Sequence, residues 1–486
     1  MTKRLLAKAC IILGIVSCGL LMAMAASGPE KTPSKPTTVT YYKDVLPILQ
    51  NNCQSCHRPG EVAPMSLRTF EETRPWATAI KTSILTKKMP PWFADPKYGH
   101  FENERKLTPA EIKTLVSWAD AGAPEGNKQD APAPVEFTDG WNIGKPDRVL
   151  EMPAAFSVPA QGTVDYQYVV IPGNFKEDMW IRAAEVRPGN RALLHHVIAF
   201  VRPPGSKWLT DVQPGTTVAL KPQEEKAARD AAAARAEGRK PEEGGVRDSI
   251  LGAENLVGYA PGLQPLDLQH DSAILVRAGS DIVLQLHYTA NGTAGTDKTK
   301  VGLIFAKNPP KTRQLALAAL NRSFAIPPND DNYEVKSAVE IQQPVTLVYL
   351  MPHMHYRGKD FVYKITYPDG QNETLLSVPN YDFNWQLGYK LEKPLELPKG
   401  TRIECTAHFD NSANNLYNPD PKSQVKWGEQ TWEEMMIGFF SVNVPADEKL
   451  SRGLIKFLPG STKASAATPA SPDAKTAAST GSGTSE

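Results

Sequence analysis

Proline constrains this chain more than any other residue. It occupies 42 of 486 positions, against an average near ~5%. A proline inside a helix removes a hydrogen bond and clashes with the preceding turn. The bulk of the chain is therefore read as short strands and ordered loops. From about residue 135 to 460 the pattern agrees. The runs YQYVVIPG, LLHHVIAFV, DIVLQLHYT, VTLVYLMPHMHY, DFVYKITYPDG and TRIECTAHF are apolar or alternating, and Pro, Gly, Asn and Asp separate them. Such runs predict antiparallel strands, here two β-sandwiches of jelly-roll type over 135–305 and 306–460.

Residues 38–127 read differently. Thr108-Pro109-Ala110-Glu111 is a helix start with an N-cap, a proline at the first turn and a Glu three residues after the cap. Ile112, Leu115, Val116 and Ala119 follow at helical spacing, and Gly122 stops the run. The expected fold is thus multidomain, a small all-α domain followed by two antiparallel β-sandwiches. Residues 125–134 read as a linker. The Ala-, Arg- and Glu-rich stretch 224–248 reads as a solvated insert, and 461–486 as a disordered low-complexity tail. With 54 Lys+Arg against 53 Asp+Glu, no basic field points to nucleic acid.

The N-terminus carries Lys3, Arg4 and Lys8, an apolar run over 9–24, and the small-x-small site Ala23-Met24-Ala25. This predicts a signal peptide over 1–25 and export, with the periplasm as the expected compartment. The apolar run is shorter than the ~20 residues of a membrane span, and no transmembrane span is expected in the mature chain. Ile15-Val16-Ser17-Cys18 offers lipid anchoring at Cys18 as a rival, but the stretch after it stays apolar. Of the five cysteines, Cys53, Cys56 and Cys405 then remain.

Cys53-Gln54-Ser55-Cys56-His57 is a CxxCH. Thiols at this spacing on one turn can add to the two haem vinyl groups, and the next histidine then binds the iron. A zinc or redox CxxC is the alternative, but no second CxxC completes a zinc site. Met89, in Lys88-Met89-Pro90-Pro91-Trp92, is the favoured second axial ligand; Met65 and His100 are rivals. One covalent haem c is expected, and the 38–127 block resembles a small class I cytochrome c.

Nine histidines occur, and five fall in apolar strands as His195-His196, His287 and His353-Met354-His355. Residues two apart on a strand share a face, so His353 and His355 can grip one ion. Adjacent residues face opposite sides, so His195 and His196 can do so only where the strand ends or bulges. Imidazole with a thioether suits copper, and Met435 in Glu433-Glu434-Met435-Met436 is a candidate soft donor. His408 is read as strand packing or a supporting residue.

In this order, His195-His196, LQLHY, PHMHYRGK and WEEMM resemble the copper type II, ascorbate-dependent monooxygenases, the family of the peptidylglycine and dopamine enzymes. The resemblance covers about 150–445. It implies two coppers, one electron-transferring at His195, His196 and His287, and one oxygen-activating at His353, His355 and Met435. It further implies two stacked sandwiches across a solvent-filled cleft, and O2-dependent hydroxylation of a C–H bond in a small-molecule substrate. Three departures stand out. Met436 replaces a cysteine that pairs, in animal members, with the counterpart of Cys405, so Cys405 is read as a free buried thiol. Met351 replaces an arginine that binds substrate carboxylate in the amidating enzyme. Ile437 and Phe439 replace polar substrate contacts, so peptide amidation is not expected and the pocket is read as apolar. The haem suggests a local electron donor in place of ascorbate, supplied by an external redox protein. The alternatives are a dehydrogenase passing substrate electrons outward to the haem, and an electron-transfer protein without oxygen insertion.

Overall fold

The computed structural model describes residues 38–137, 140–206, 208–219, 254–268, 271–448 and 453–458. The expected signal peptide, Cys18, the 224–248 insert, His270 and the 461–486 tail lie outside them. Among the described residues no helix is long and apolar enough to cross a membrane.

Alternation builds the strands. Along Tyr333–Ile341, Val335, Ser337, Val339 and Ile341 are buried, while the residues between them are not, as a sheet covered on one face requires. Strand Gln167–Ile171 is instead buried throughout. Val169 and Ile171 face one sandwich core, and Tyr168 and Val170 pack under Trp208, Leu209 and Val212 of a covering loop.

A nine-stranded sheet runs through both halves of the β region. Its first part holds Arg148–Glu151, Lys300–Phe305, Met179–Arg187 and Ser272–Val276, with the short Leu266–Asp267 also paired to Met179–Arg187. Its second part holds Thr312–Asn321, Met436–Pro445, Val345–His353 and Tyr389–Leu397. A short parallel pairing joins the parts, with Thr312 opposite Ser272 and Arg313 opposite Ala273. A five-stranded sheet containing Asp281–Tyr288 and Leu194–Arg202 encloses a core with the first part. Another, containing Arg402–Phe409 and Gly358–Thr366, encloses a core with the second. The two sandwiches therefore share one backbone sheet.

The expected all-α cytochrome c domain over 38–127 is not what the chain forms. The described residues are 39% strand and 11% helix. Four short helices occur there: α1 (Leu46–Asn52), α2 (Phe70–Thr73), α3 (Ala77–Leu85) and α4 (Pro109–Asp120). Turns and irregular backbone fill the rest. Prolines 64, 75, 90, 91 and 96 interrupt the segment and cut its helices short. Only α4 follows its sequence signals closely, with a capping box between Thr108 and Glu111. A small core of Tyr41, Val45, Leu49, Leu115 and Trp118 holds the helices. The stretch after α3 belongs elsewhere. Trp92, Phe93 and Phe101 join the second sandwich core, and Trp92 meets Tyr389 edge-on at 4.9 Å. The Glu102 amide donates to Lys390 O (2.9 Å). Burial of these aromatics against a sheet outweighs any independent helical packing of the segment.

Cys405 is a free, buried thiol, packed against Gly438 of Met436–Pro445. A Cβ on Gly438 would sit 2.4 Å from Cys405 Sγ and 3.1 Å from the Tyr363 ring. Gly438→Ala is therefore expected to destabilise by about 1–3 kcal/mol through overpacking, read as a lower Tm. Adding Cys405→Ala should recover part of that loss; no recovery would place the strain elsewhere.

Candidate functional site

His196 and His287 stand opposite each other on Leu194–Arg202 and Asp281–Tyr288, and the next partner pair is Tyr288 with Leu194. His195 is thus the extra residue of a β-bulge. A bulge turns one side chain away from the regular alternation, and here it brings both adjacent histidines to one side. The outcome is a triad whose ring nitrogens converge. His196 Nδ1 lies 3.2 Å from His195 Nδ1 and 3.3 Å from His287 Nδ1. A neutral imidazole nitrogen offers either one proton or one lone pair, so His196 Nδ1 cannot bond well to both neighbours. Three donors held at ~2.0–2.1 Å from a tetrahedral ion lie roughly 3.3 Å apart, so the triad fits a metal ion. Burial, the main cause in each case, lowers the three rings, His195 to about 4, His287 to about 3 and His196 well below its ordinary value. They are neutral at pH 7, as metal ligation requires.

The second group lies where two neighbouring strands of the nine-stranded sheet meet. His353 ends Val345–His353 opposite Ile437, and Met435 immediately precedes Met436–Pro445. His353 Nδ1 donates to Gln386 Oε1 (2.7 Å), and His355 Nδ1 donates to Glu433 O (3.1 Å). Each ring then carries its lone pair on Nε2, and His355 Nε2 is buried without a hydrogen-bond partner. The ring centroids are 5.3 Å apart. Two bare imidazole nitrogens, with Met435 lining the same cavity as His353, offer a donor set that fits a soft ion. Burial lowers His353 to about 4 and His355 well below its usual range.

Supporting residues that the sequence alone did not single out hold this group. Glu434, fully buried, accepts from the His355 amide (2.9 Å) and the Arg357 amide (2.7 Å). Burial pushes its carboxyl up to about 8, while these N–H bonds and the Arg357 charge oppose that rise. The accepting geometry at both oxygens is that of the carboxylate, the form we assign. Phe383 stands between the groups, stacked on His195 at 5.1 Å and edge-on to His355 at 6.0 Å. Charge on His353 or His355 also lowers His196, so the groups are electrostatic neighbours. Tyr166 packs on His287 and His196 at 4.8 and 5.4 Å. Only the Glu-Glu-Met string marked Glu434 in advance. Phe383 and Gln386 lie in a loop with no motif.

His196, Tyr166, His353, Gln386 and Met435 line one cavity of about 690 Å³. The cleft between the sandwiches is therefore shared by both groups, with the Phe383 ring packed between His195 and His355 beside it.

The CxxCH lies in turns directly after α1, with the His57 amide donating to Cys53 O (2.9 Å). Cys53 and Cys56 are free thiols. His57 Nδ1 bonds to Met65 O (3.3 Å), leaving Nε2 as the available ligand atom, so these residues fit a covalent haem. Burial raises the Cys53 thiol to about 12 and lowers His57. Met65 packs beside Cys53 in the N-terminal core. Met89 follows α3, its amide donating to Ser83 O (3.2 Å), and the contacts of the described residues do not join it to His57. Half-buried Glu61 pairs with Arg58 (3.1 Å) and, across to the first sandwich, with Arg191 (3.3 Å) and Arg187 (3.6 Å). This network fixes the CxxCH segment beside the turn that leads into His195. His408 lies apart, its Nδ1 2.7 Å from Asp360 Oδ1.

No protein-family model matches this chain, and no curated protein sequence does. Among solved structures, it is similar to a secreted-protein candidate from Eubacterium rectale at 10% identity and TM-score 0.18, covering 58% of this chain and 69% of that one. It is also similar to the VP2 subviral particle of infectious bursal disease virus at 8% identity and TM-score 0.16, covering 65% and 73%. Likenesses this low carry no argument about fold or function.

Proposed function

We propose that this chain is an exported oxidoreductase that hydroxylates a C–H bond of a small organic substrate. It would use O2, two copper ions and one covalent haem, with electrons entering from an external donor protein. The reading is supported above all by the convergence of His195, His196 and His287 beside a second buried imidazole pair on the same cavity.

Copper at His353, His355 and Met435 would supply reaction with O2, copper at His195, His196 and His287 a stored electron, and the haem at Cys53, Cys56 and His57 the entry point. One oxygen atom would go into the C–H bond and the other to water, consuming two electrons and two protons. Met89 is the favoured second axial ligand. The residues' own part is positional. Gln386 and the Glu433 carbonyl hold the His353 and His355 rings with Nε2 toward the ion. Glu434 ties the backbone of His355 to the strand that begins after Met435. The Phe383 ring excludes water between the groups. Glu61 holds the CxxCH segment on the first sandwich, so electrons need no diffusing tether.

The test is metal and haem content of the mature protein, followed by turnover under labelled O2. One haem and two coppers, falling to one copper in His353→Ala, is the expected result, with label in the product. Two coppers without label would favour a dehydrogenase passing electrons outward to the haem. One haem with no copper after reconstitution would overturn the reading.

A further inference from the structure

The cavity floor is laid out in cross-strand rows. Leu320, Ile437 and His353 form one row, and Ala318, Phe439 and Met351 form the next. Residues of the same strands that alternate with these, Ala319, Leu350 and Phe440, point into the sandwich core instead. A third row, Ala316, Ser441 and Tyr349, lies farther on. Rows two residues apart are ~6.6–6.8 Å apart, so the floor runs roughly 13 Å away from His353. None of these nine side chains carries a fixed charge. Of the charged groups around the cavity, Lys390 pairs with Glu102, Asp267 with Arg182, and Glu429 accepts from Tyr168; Arg105 and Arg322 also line it, off these rows, with the Arg322 guanidinium over the Trp427 ring at 5.7 Å.

One polar group beside His353 has no partner. Gln386 is 4% exposed and lines the cavity. Its Oε1 is taken by His353 Nδ1, which sets the amide orientation, since His353 must donate there to keep Nε2 bare. Gln386 Nε2 is buried with no hydrogen-bond partner. A buried donor left unmade is costly, and a ligand acceptor atom would satisfy it.

We propose that the site takes a neutral, elongated apolar molecule carrying one hydrogen-bond acceptor, such as a ketone, ester or ether oxygen. The chain of the ligand lies along the rows Leu320/Ile437 and Ala318/Phe439/Met351. Its acceptor oxygen receives Gln386 Nε2–H, which brings the adjoining carbon to His353. An ammonium group finds no free counter-charge on this floor, and a carboxylate seated at Gln386 lies against rows that carry no cation, so either would be desolvated there without compensation; a carboxylate drawn instead to Arg105 or Arg322 would leave the Gln386 donor unmade. The assignment rests on the copper reading for the Gln386 orientation and for what happens to the ligand; the binding itself is tested without metal.

The experiment uses the metal-free full chain. N-phenyl-1-naphthylamine fluorescence reports cavity occupancy, and decan-2-one, decane, decanoate and decylamine compete for it. Decan-2-one is expected to bind roughly fivefold tighter than decane, the contribution of one neutral hydrogen bond. Decanoate and decylamine should bind at least about tenfold more weakly than the ketone. Gln386→Met should abolish the ketone's advantage while leaving decane unchanged. If that variant does not fold, Gln386→Glu serves, because it keeps an acceptor for His353 and lacks the donor. Ile437→Lys should weaken both neutral ligands. Preference for decanoate or decylamine, persistence of the ketone advantage without Gln386 Nε2, or no binding by the wild type would each overturn the proposal. Copper content is read separately. Two coppers with a carboxylate preference sinks the ligand class alone, and ketone binding without any copper affinity sinks the copper reading alone.

Discussion

Replacing His196 by alanine is expected to remove the first copper and leave the second. His196 is 6% exposed, and its Nδ1 is the atom that approaches both His195 and His287. Without it the other two rings remain on either side of a gap. Loss of a group that merely orients a ligand costs 10–100-fold in metal affinity, so loss of this ligand should cost more than about 100-fold. Titration of the metal-free chain should then show one tight copper instead of two, with haem content unchanged. His355→Ala should remove the other copper and preserve the first. If His196→Ala retained two tight coppers, the triad would be a packed histidine cluster and not a metal centre.

The largest stability effect is expected from Glu434→Leu. The substitution strands the amides of His355 and Arg357, both of which Glu434 accepts. It also removes the carboxylate that supports the Arg357 charge, in a side chain 1% exposed. Arg357 would keep its bonds to Asn411 Oδ1 and Trp432 O (2.8 Å each), but of the two carboxylates that favour its charge only the exposed Asp420 would remain. Removing a buried opposite charge costs up to about 3–5 kcal/mol, a Tm drop of roughly 3–5 °C in a chain of this size. Copper affinity at His353, His355 and Met435 should fall with it, because Glu434 ties the turn carrying His355 to the strand after Met435. Glu434→Gln retains one acceptor and should lose less of both. A Glu434→Leu protein with unchanged Tm would show that the carboxylate is not what holds this turn.

Much of the candidate site was legible along the chain. CxxCH is a local pattern, because the thioether attachment and histidine ligation it offers would both be set within one turn. His353 and His355 were expected to share a side by the two-residue period of a strand, but the strand ends at His353, and His355 is brought beside it by the bonds of the following turn to Glu433 and Glu434. His195 and His196 were not expected to share one, because the same period places neighbours on opposite sides. The bulge that resolves this is fixed by the partner strand, where Tyr288 pairs with Leu194 and skips His195.

The N-terminal segment shows the opposite case. The Thr108–Glu111 capping box and helix α4 were readable, because capping is decided within four residues. An all-α domain was expected around it, but Trp92, Phe93 and Phe101 are drawn onto the second sandwich. Nothing adjacent to them in sequence reports that surface.

What the sequence determined by itself is therefore the chemistry on offer: two thiols and a histidine on one turn, five imidazoles in apolar strands, and a methionine beside two carboxylic acids. Those identities and their local periods need no partner. The tertiary structure decided which of them meet. It made the bulge at His195, set Phe383 between the two histidine groups, turned Gln386 toward His353, and joined the sandwiches through Thr312 and Ser272. Each of those contacts joins residues far apart in the chain, and their packing becomes favourable only after the intervening strands have formed a sheet.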